Sequence, residues 1–91
     1  MRFDTRAIHG RQGPDPATGA VNVPVHFSTT FAQRDTGGPA RWVYARTGNP
    51  TRAALEDALA ALEGGARGLA FASGMAAIAT LLENFGTGSR I

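Results

Sequence analysis

The segment Ala72-Ser73-Gly74-Met75-Ala76 joins a short apolar run to residues with helical spacing. A helix N-terminus offers unpaired N–H groups and a partial positive charge, so anions bind there readily. Glycine has no side chain, which lets an anion come close to the backbone. The junction is therefore a candidate anion site, although a bare Ser-Gly pair is more often a simple tight connection.

A second candidate site lies in Tyr44-Ala45-Arg46-Thr47-Gly48-Asn49-Pro50-Thr51. Tyr44 and Arg46 are two residues apart, so an extended segment would place them on the same side. A guanidinium can bind a phosphate through two parallel hydrogen bonds, and a phenol can add another or contact a substrate. Spacing alone favours the plainer interpretation of a surface arginine and a half-buried tyrosine.

The elements that would position these residues begin at Asn49. Asn49-Pro50 predicts a helix start, and Gly64-Gly65 predicts its end after Glu63. Gly68 to Ala72 is apolar and bounded by glycine, which predicts a buried parallel strand. Helical spacing returns from Met75 to Phe85. The predicted apolar face of the first helix comprises Ala54, Leu55, Ala58, Leu59 and Leu62.

Residues 1–49 show no sustained helical or strand period. A short helical turn at Thr5–His9, a turn at Asp15–Gly19 and a loop at Asp35–Pro39 are expected. Val21 to Val25 alternates as a strand would, but Pro24 lacks an N–H and indicates an edge or extended arm. We therefore expect an N-terminal arm over 1–49 and the start of an α/β domain over 50–91.

Composition excludes several classes of protein. The chain of 91 residues has no Cys, and its nine basic residues are all Arg, with a net charge of +2. Disulfides and thiolate zinc sites are excluded, and the scattered Arg make no nucleic-acid surface. No apolar run suits a signal peptide or membrane helix, so we expect a cytoplasmic protein without membrane or nucleic-acid partners. His9 and His26 predict no metal site, and Trp42 is expected to anchor the arm.

Seven motifs follow one another along the chain: Thr5–His9, Pro14–Pro16, Thr18–Val21, Ser28–Phe31, Tyr44–Thr51, Leu59–Gly65 and Ala70–Ala77. In this order they resemble the Cys/Met-metabolism family of pyridoxal-phosphate (PLP) enzymes. This family includes cystathionine γ-synthase, cystathionine γ- and β-lyases, methionine γ-lyase and the O-acylhomoserine sulfhydrylases.

The resemblance implies a fold and a site. The fold would be α/β: an N-terminal extended arm, then the first helix-strand-helix of a fold type I (aspartate aminotransferase-like) large domain, incomplete here. The backbone N–H groups of Gly74 and Met75 would bind the PLP phosphate. Tyr44 and Arg46 would reach that phosphate in the neighbouring subunit of a homodimer or homotetramer, with Tyr44 also close to the reacting centre.

The absence of Lys limits what this chain can do alone. PLP chemistry needs a lysine for its Schiff base, so no catalytic residue is expected here and the chain would be an N-terminal piece of a longer enzyme. The resemblance implies β/γ-elimination or γ-replacement on cysteine- or homoserine-type amino acids, with cystathionine γ-synthase or γ-lyase preferred. Two other hypotheses are a small non-covalent anion-binding module and, with less support, an Arg-rich RNA-binding piece.

Overall fold

A computed structural model describes residues 1–33 and 41–91. These residues contain three helices, α1 (Phe3–His9), α2 (Pro50–Glu63) and α3 (Gly74–Leu82). None of the helices in these two ranges has the length and apolar character needed to cross a membrane. The loop expected at Asp35–Pro39 lies outside the described residues.

Helix α2 begins and ends where the sequence predicts. Asn49 is its N-cap, and the Asn49 side chain accepts hydrogen bonds from the N–H groups of Thr51 at 2.8 Å and Arg52 at 3.3 Å. Pro50 occupies the first helical position, where a missing N–H costs nothing. Gly64 ends the helix in the left-handed conformation, at φ 67°, which a residue with a Cβ would adopt only with strain. Both ends are therefore set by local chemistry.

Helix α1 packs on α2, and no other pair of helices in the described residues makes contact. The contact is close because Gly10 has no side chain: a Cβ there would lie 3.4 Å from the Ala61 Cβ. The Arg6 guanidinium donates to the Ala61 carbonyl at 3.4 Å. Only Gly10 and Ala60 are buried among the described residues.

The apolar face predicted for α2 is only partly covered in this structure. Leu55 is 53% exposed and Leu59 is 47% exposed, whereas the buried residue is Ala60, on the side facing α1. The radius of gyration is 16.4 Å, against the about 12 Å expected of a compact domain of this length. Nothing among residues 1–33 and 41–91 therefore covers Leu55 and Leu59.

The strand predicted at Gly68–Ala72 is not formed in the described residues. A strand is defined by pairing with a neighbour, and the described residues offer this segment none. The Ala70 N–H instead donates to the Glu56 carboxylate at 2.9 Å. The predicted helix-strand-helix is thus present as helix, unpaired segment and helix.

Helices α1 and α3 differ from prediction at their ends. Helix α1 begins at Phe3, two residues before the predicted turn. Helix α3 ends at Leu82, although the apolar spacing predicts continuation to Phe85. The α-helical hydrogen-bond pattern ends there, because the Phe85 N–H donates to the Leu82 carbonyl three residues earlier, at 3.1 Å. The Asn84 side-chain amide donates to the Thr80 and Leu81 carbonyls.

The described part of the arm is held by isolated hydrogen bonds. Val21–Val25 forms no strand, in keeping with Pro24. An antiparallel bridge pairs Thr30 with Tyr44. The predicted turn at Asp15–Gly19 is present, with Gly19 N–H donating to the Asp15 carbonyl at 2.7 Å.

Candidate functional site

The N-terminus of α3 presents two free backbone donors. The Ser73 side chain caps the helix by accepting from the Ala76 N–H at 3.1 Å. The N–H groups of Gly74 and Met75 make no hydrogen bond within the described residues. Both residues are exposed, and a Cβ at Gly74 would meet nothing within 4 Å. An anion therefore has open access to this helix end, whose dipole favours negative charge.

Tyr44 and Arg46 lie in direct contact with each other. Arg46 Nη2 donates to the Tyr44 hydroxyl at 3.1 Å, and the Arg46 Cζ lies 5.3 Å from the centre of the Tyr44 ring. The segment is not extended as expected, because residues 45–47 form a turn. The turn, rather than strand alternation, brings the two side chains together.

This turn is tied to its surroundings by several hydrogen bonds. Thr47 N–H and Oγ1 both donate to the Tyr44 carbonyl, at 3.0 and 2.9 Å. Ala45 N–H donates to the Thr29 carbonyl at 2.8 Å, and Phe31 N–H donates to the Val43 carbonyl at 3.1 Å. The Tyr44–Arg46 turn is therefore positioned by the arm on one side and by its own backbone on the other.

No hydrogen bond joins the two halves of the candidate site within the described residues, since none links Tyr44 or Arg46 to Gly74 or Met75. Helix α3 also contacts neither α1 nor α2. Each half by itself offers donors that suit an anion.

The donor set suits a phosphate dianion. The Arg46 side chain is exposed, and its guanidinium forms no ion pair in the described residues. A guanidinium and free N–H groups at a helix N-terminus are the groups that proteins use for phosphates. A phosphate-bearing cofactor such as PLP therefore fits the residues present.

Two residues of α2 that contact the candidate segments, Arg52 and Glu56, were not predicted from the sequence. Arg52 Nη1 donates to the Arg46 carbonyl at 3.3 Å, and Glu56 accepts from Ala70. No local signal could have found the second contact, because it joins residues 14 positions apart.

The remaining residues weighed in the sequence take other positions. Trp42 packs against Gly48, where a Cβ would lie 3.4 Å from the indole ring. His9 ends α1. His26 lies beside the start of α2, where its backbone N–H donates to Thr51 Oγ1 at 2.9 Å. Within 1–33 and 41–91, no three His, Asp or Glu side chains gather as metal ligands would.

Comparison with known proteins decides the family. The family model described as Cys/Met metabolism PLP-dependent enzyme matches residues 4–91. The chain belongs to this family. PLP is accordingly the cofactor that the family implies, and the resemblance noted in the sequence is confirmed. The hypothesis of a small non-covalent anion-binding module receives no support from these matches.

Relatives and solved structures of the family align closely with this chain. Cystathionine gamma-synthase of Mycobacterium tuberculosis is 66% identical over 74 residues, covering 80% of this chain and 19% of that protein. Cystathionine beta-lyase of Coxiella burnetii is 50% identical over 89 residues, covering 98% of this chain and 23% of that protein. The structure of cystathionine gamma-lyase from Lactobacillus plantarum, complexed with L-serine, superposes with a TM-score of 0.84 at 49% identity, covering 97% and 23%. The chain thus spans about a fifth of the length of these relatives.

Proposed function

We propose that this chain is the N-terminal part of a PLP-dependent enzyme of sulfur amino-acid metabolism. The reaction class is β- or γ-elimination, or γ-replacement, on cysteine- or homoserine-type amino acids. The observation that carries the proposal is the open N-terminus of α3, where Gly74 and Met75 offer free N–H groups in a chain of this family. PLP would supply an electron sink that stabilises negative charge at the substrate Cα.

In this proposal the site holds the cofactor phosphate from two sides. Gly74 and Met75 donate their backbone N–H groups to it, and the dipole of α3 favours its charge. Arg46 and Tyr44 reach the phosphate of the neighbouring subunit, which fits the absence of any hydrogen bond between them and the N-terminus of α3 in the described residues. Tyr44 also lies close to the reacting centre. The amine for the Schiff base comes from elsewhere in the full-length enzyme, since this chain has no Lys.

The cross-subunit contact requires at least a homodimer, and a homotetramer would satisfy it equally. Residues 1–49 act as an arm with a cofactor-contacting loop, and residues 50–91 begin a fold type I large domain. The exposed Leu55 and Leu59 support this division, because the rest of such a domain would cover that face of α2. We place the enzyme in the cytoplasm.

Within the family, cystathionine γ-synthase or γ-lyase activity is our preference. Support comes from the 66% identity to the mycobacterial cystathionine gamma-synthase. The identity of 50% to a cystathionine beta-lyase shows that chains this similar carry more than one family name, so the activity has to be measured.

The test uses the full-length enzyme, stripped of cofactor and reloaded with PLP. We expect PLP-dependent formation of cystathionine from cysteine and a γ-activated homoserine, or its cleavage to cysteine and a keto acid. Cleavage to homocysteine instead would indicate a β-lyase and contradict our preference within the family. Loss of all PLP-dependent conversion of sulfur amino acids would contradict the proposed function.

A further inference from the structure

A line of polar contacts runs along α2 between the two candidate cofactor segments. At one end Arg52 Nη1 donates to the Arg46 carbonyl at 3.3 Å. Arg52 Nε lies 3.9 Å from Glu56 Oε1, one helical turn along. The same Glu56 oxygen accepts from the Ala70 N–H at 2.9 Å. Two residues of α2 thus contact both the turn at residues 45–47, called the Arg46 turn below, and the segment that leads to α3.

Glu56 holds the segment at Gly68–Ala72 through its side chain. Its carboxylate accepts the hydrogen bond that the Ala70 N–H donates, at 2.9 Å. Gly68 lies directly on the Glu56 backbone: a Cβ there would be 3.1 Å from the Glu56 carbonyl carbon and closer still to its oxygen. Glu56 therefore fixes the segment both by hydrogen bonding and by contact, three residues before Ser73 caps α3.

We propose that Arg52 and Glu56 are positioning residues that hold the Arg46 turn and the N-terminus of α3 in fixed relation. This inference rests on the proposed function, since it assumes that both segments bind the PLP phosphate. Neither residue needs to touch the cofactor. Arg52 acts through the Arg46 backbone, and Glu56 acts through Ala70 and, by way of Arg52, on the Arg46 turn.

The placement on one helix has a consequence for the assembled enzyme. Arg46 serves the neighbouring subunit's site, whereas Gly74 and Met75 serve the site of their own subunit. One helix is therefore linked to a segment of each of two active sites. The side chains of Arg52 and Glu56 are 37% and 23% exposed, so the pair is partly shielded from water, which strengthens its interaction.

The experiment measures the dissociation constant of PLP and the phosphorus NMR shift of bound PLP in the full-length enzyme. Glu56→Ala should weaken PLP binding about tenfold, the effect of one hydrogen bond to a charged group, and should move the phosphorus resonance. Glu56→Gln should recover most of the affinity, because the amide oxygen can still accept from Ala70. Glu63→Ala is the matched control, since Glu63 is exposed on the same helix and has no partner among the described residues.

Arg52→Ala gives an independent reading and keeps the test decisive if Glu56→Ala fails to fold. It should weaken PLP binding in the wild-type background but have a smaller effect in Arg46→Ala, because Arg52 acts mainly through Arg46 and the turn then carries only Tyr44. Equal losses in both backgrounds would contradict the inference. The inference would also be contradicted if Glu56→Ala and Arg52→Ala bound PLP as tightly as Glu63→Ala, while Arg46→Ala bound it more weakly. Normal PLP binding in Arg46→Ala would instead refute the proposed role of Arg46.

Discussion

Asn49 joins the arm to α2 by using both ends of its side-chain amide. Its oxygen accepts from the first N–H groups of the helix, and its nitrogen donates to the His26 carbonyl at 3.0 Å. Thr51 completes the connection, because its hydroxyl donates to the Pro24 carbonyl at 2.9 Å and accepts from the His26 N–H at 2.9 Å. The side chains of Asn49 and Thr51 therefore fix the arm at Pro24 and His26 against the start of α2.

Asn49→Ala should destabilise the full-length enzyme by about 1–2 kcal/mol, because both the helix cap and the arm contact are lost. Denaturant unfolding would measure the change in the free energy of unfolding. Asn22→Ala is the control, since Asn22 is exposed and its side chain makes no hydrogen bond in the described residues. Equal stability of the two variants would mean that Asn49 does not hold the arm.

Gly68→Ala should be costly because the new Cβ would collide with the Glu56 backbone. We expect a loss of about 1–3 kcal/mol in the free energy of unfolding, as for other overpacked sites. Gly13→Ala is a matched control, since a Cβ at Gly13 meets nothing within 4 Å. Thermal unfolding of both variants would decide, and a neutral Gly68→Ala would show that the segment does not lie against α2.

Much of this arrangement could be read from local sequence. Helix α2 was predicted correctly at both ends because Asn49 and Gly64 determine their own conformations. The prediction of a strand at Gly68–Ala72 was wrong for the described residues, because a strand forms only where a neighbouring segment pairs with it. The Glu56–Ala70 contact could not be predicted, since it arises only when the chain folds back on α2. Gly74, Met75, Tyr44 and Arg46 were selected by motif, and their action on PLP stays a prediction.

The turn at Asp15–Gly19 should show a pH response. The Thr18 hydroxyl donates to the Asp15 carboxylate at 2.6 Å and lowers the pKa of that carboxyl below its ordinary 3.8, helped by the Thr18 N–H. Because the folded pKa is depressed, the stabilising contribution is present above the ordinary pKa and is lost as pH falls through the folded one. Thr18→Val should raise the Asp15 pKa toward 3.8 in a carbon NMR titration. Thr87→Val is the exposed control, and an unchanged Asp15 pKa in Thr18→Val would contradict the assignment.

The 91-residue chain on its own should unfold broadly and with a small enthalpy. Only Gly10 and Ala60 are buried in the described residues, while Met75 is 73% exposed and Leu55 is 53% exposed. So little burial cannot offset the conformational entropy of folding. Scanning calorimetry would measure the transition, and a sharp two-state peak from a monomeric sample would contradict this expectation.

Arg46→Ala should weaken PLP retention more than it slows the reaction at saturating PLP. We expect a loss of about 2–5 kcal/mol in PLP binding if the phosphate contact is desolvated in the assembled enzyme. Arg46→Lys should recover only part, because an ammonium lacks the planar fork of a guanidinium. Arg67→Ala is the control, as Arg67 is exposed and its side chain makes no hydrogen bond in the described residues. Equal PLP affinity in Arg46→Ala and Arg67→Ala would remove Arg46 from the site.

The most direct test mixes equal amounts of full-length Arg46→Ala subunits and subunits that lack the Schiff-base lysine. The PLP concentration is chosen so that Arg46→Ala homodimers stay unloaded. Each heterodimer then has one site with its lysine from one chain and Arg46 from the other. Random exchange should restore about a quarter of wild-type activity, since half the dimers are mixed and each has one intact site of two. Confirmed subunit exchange with no recovered activity would contradict the placement of Arg46 in the neighbouring subunit's phosphate site.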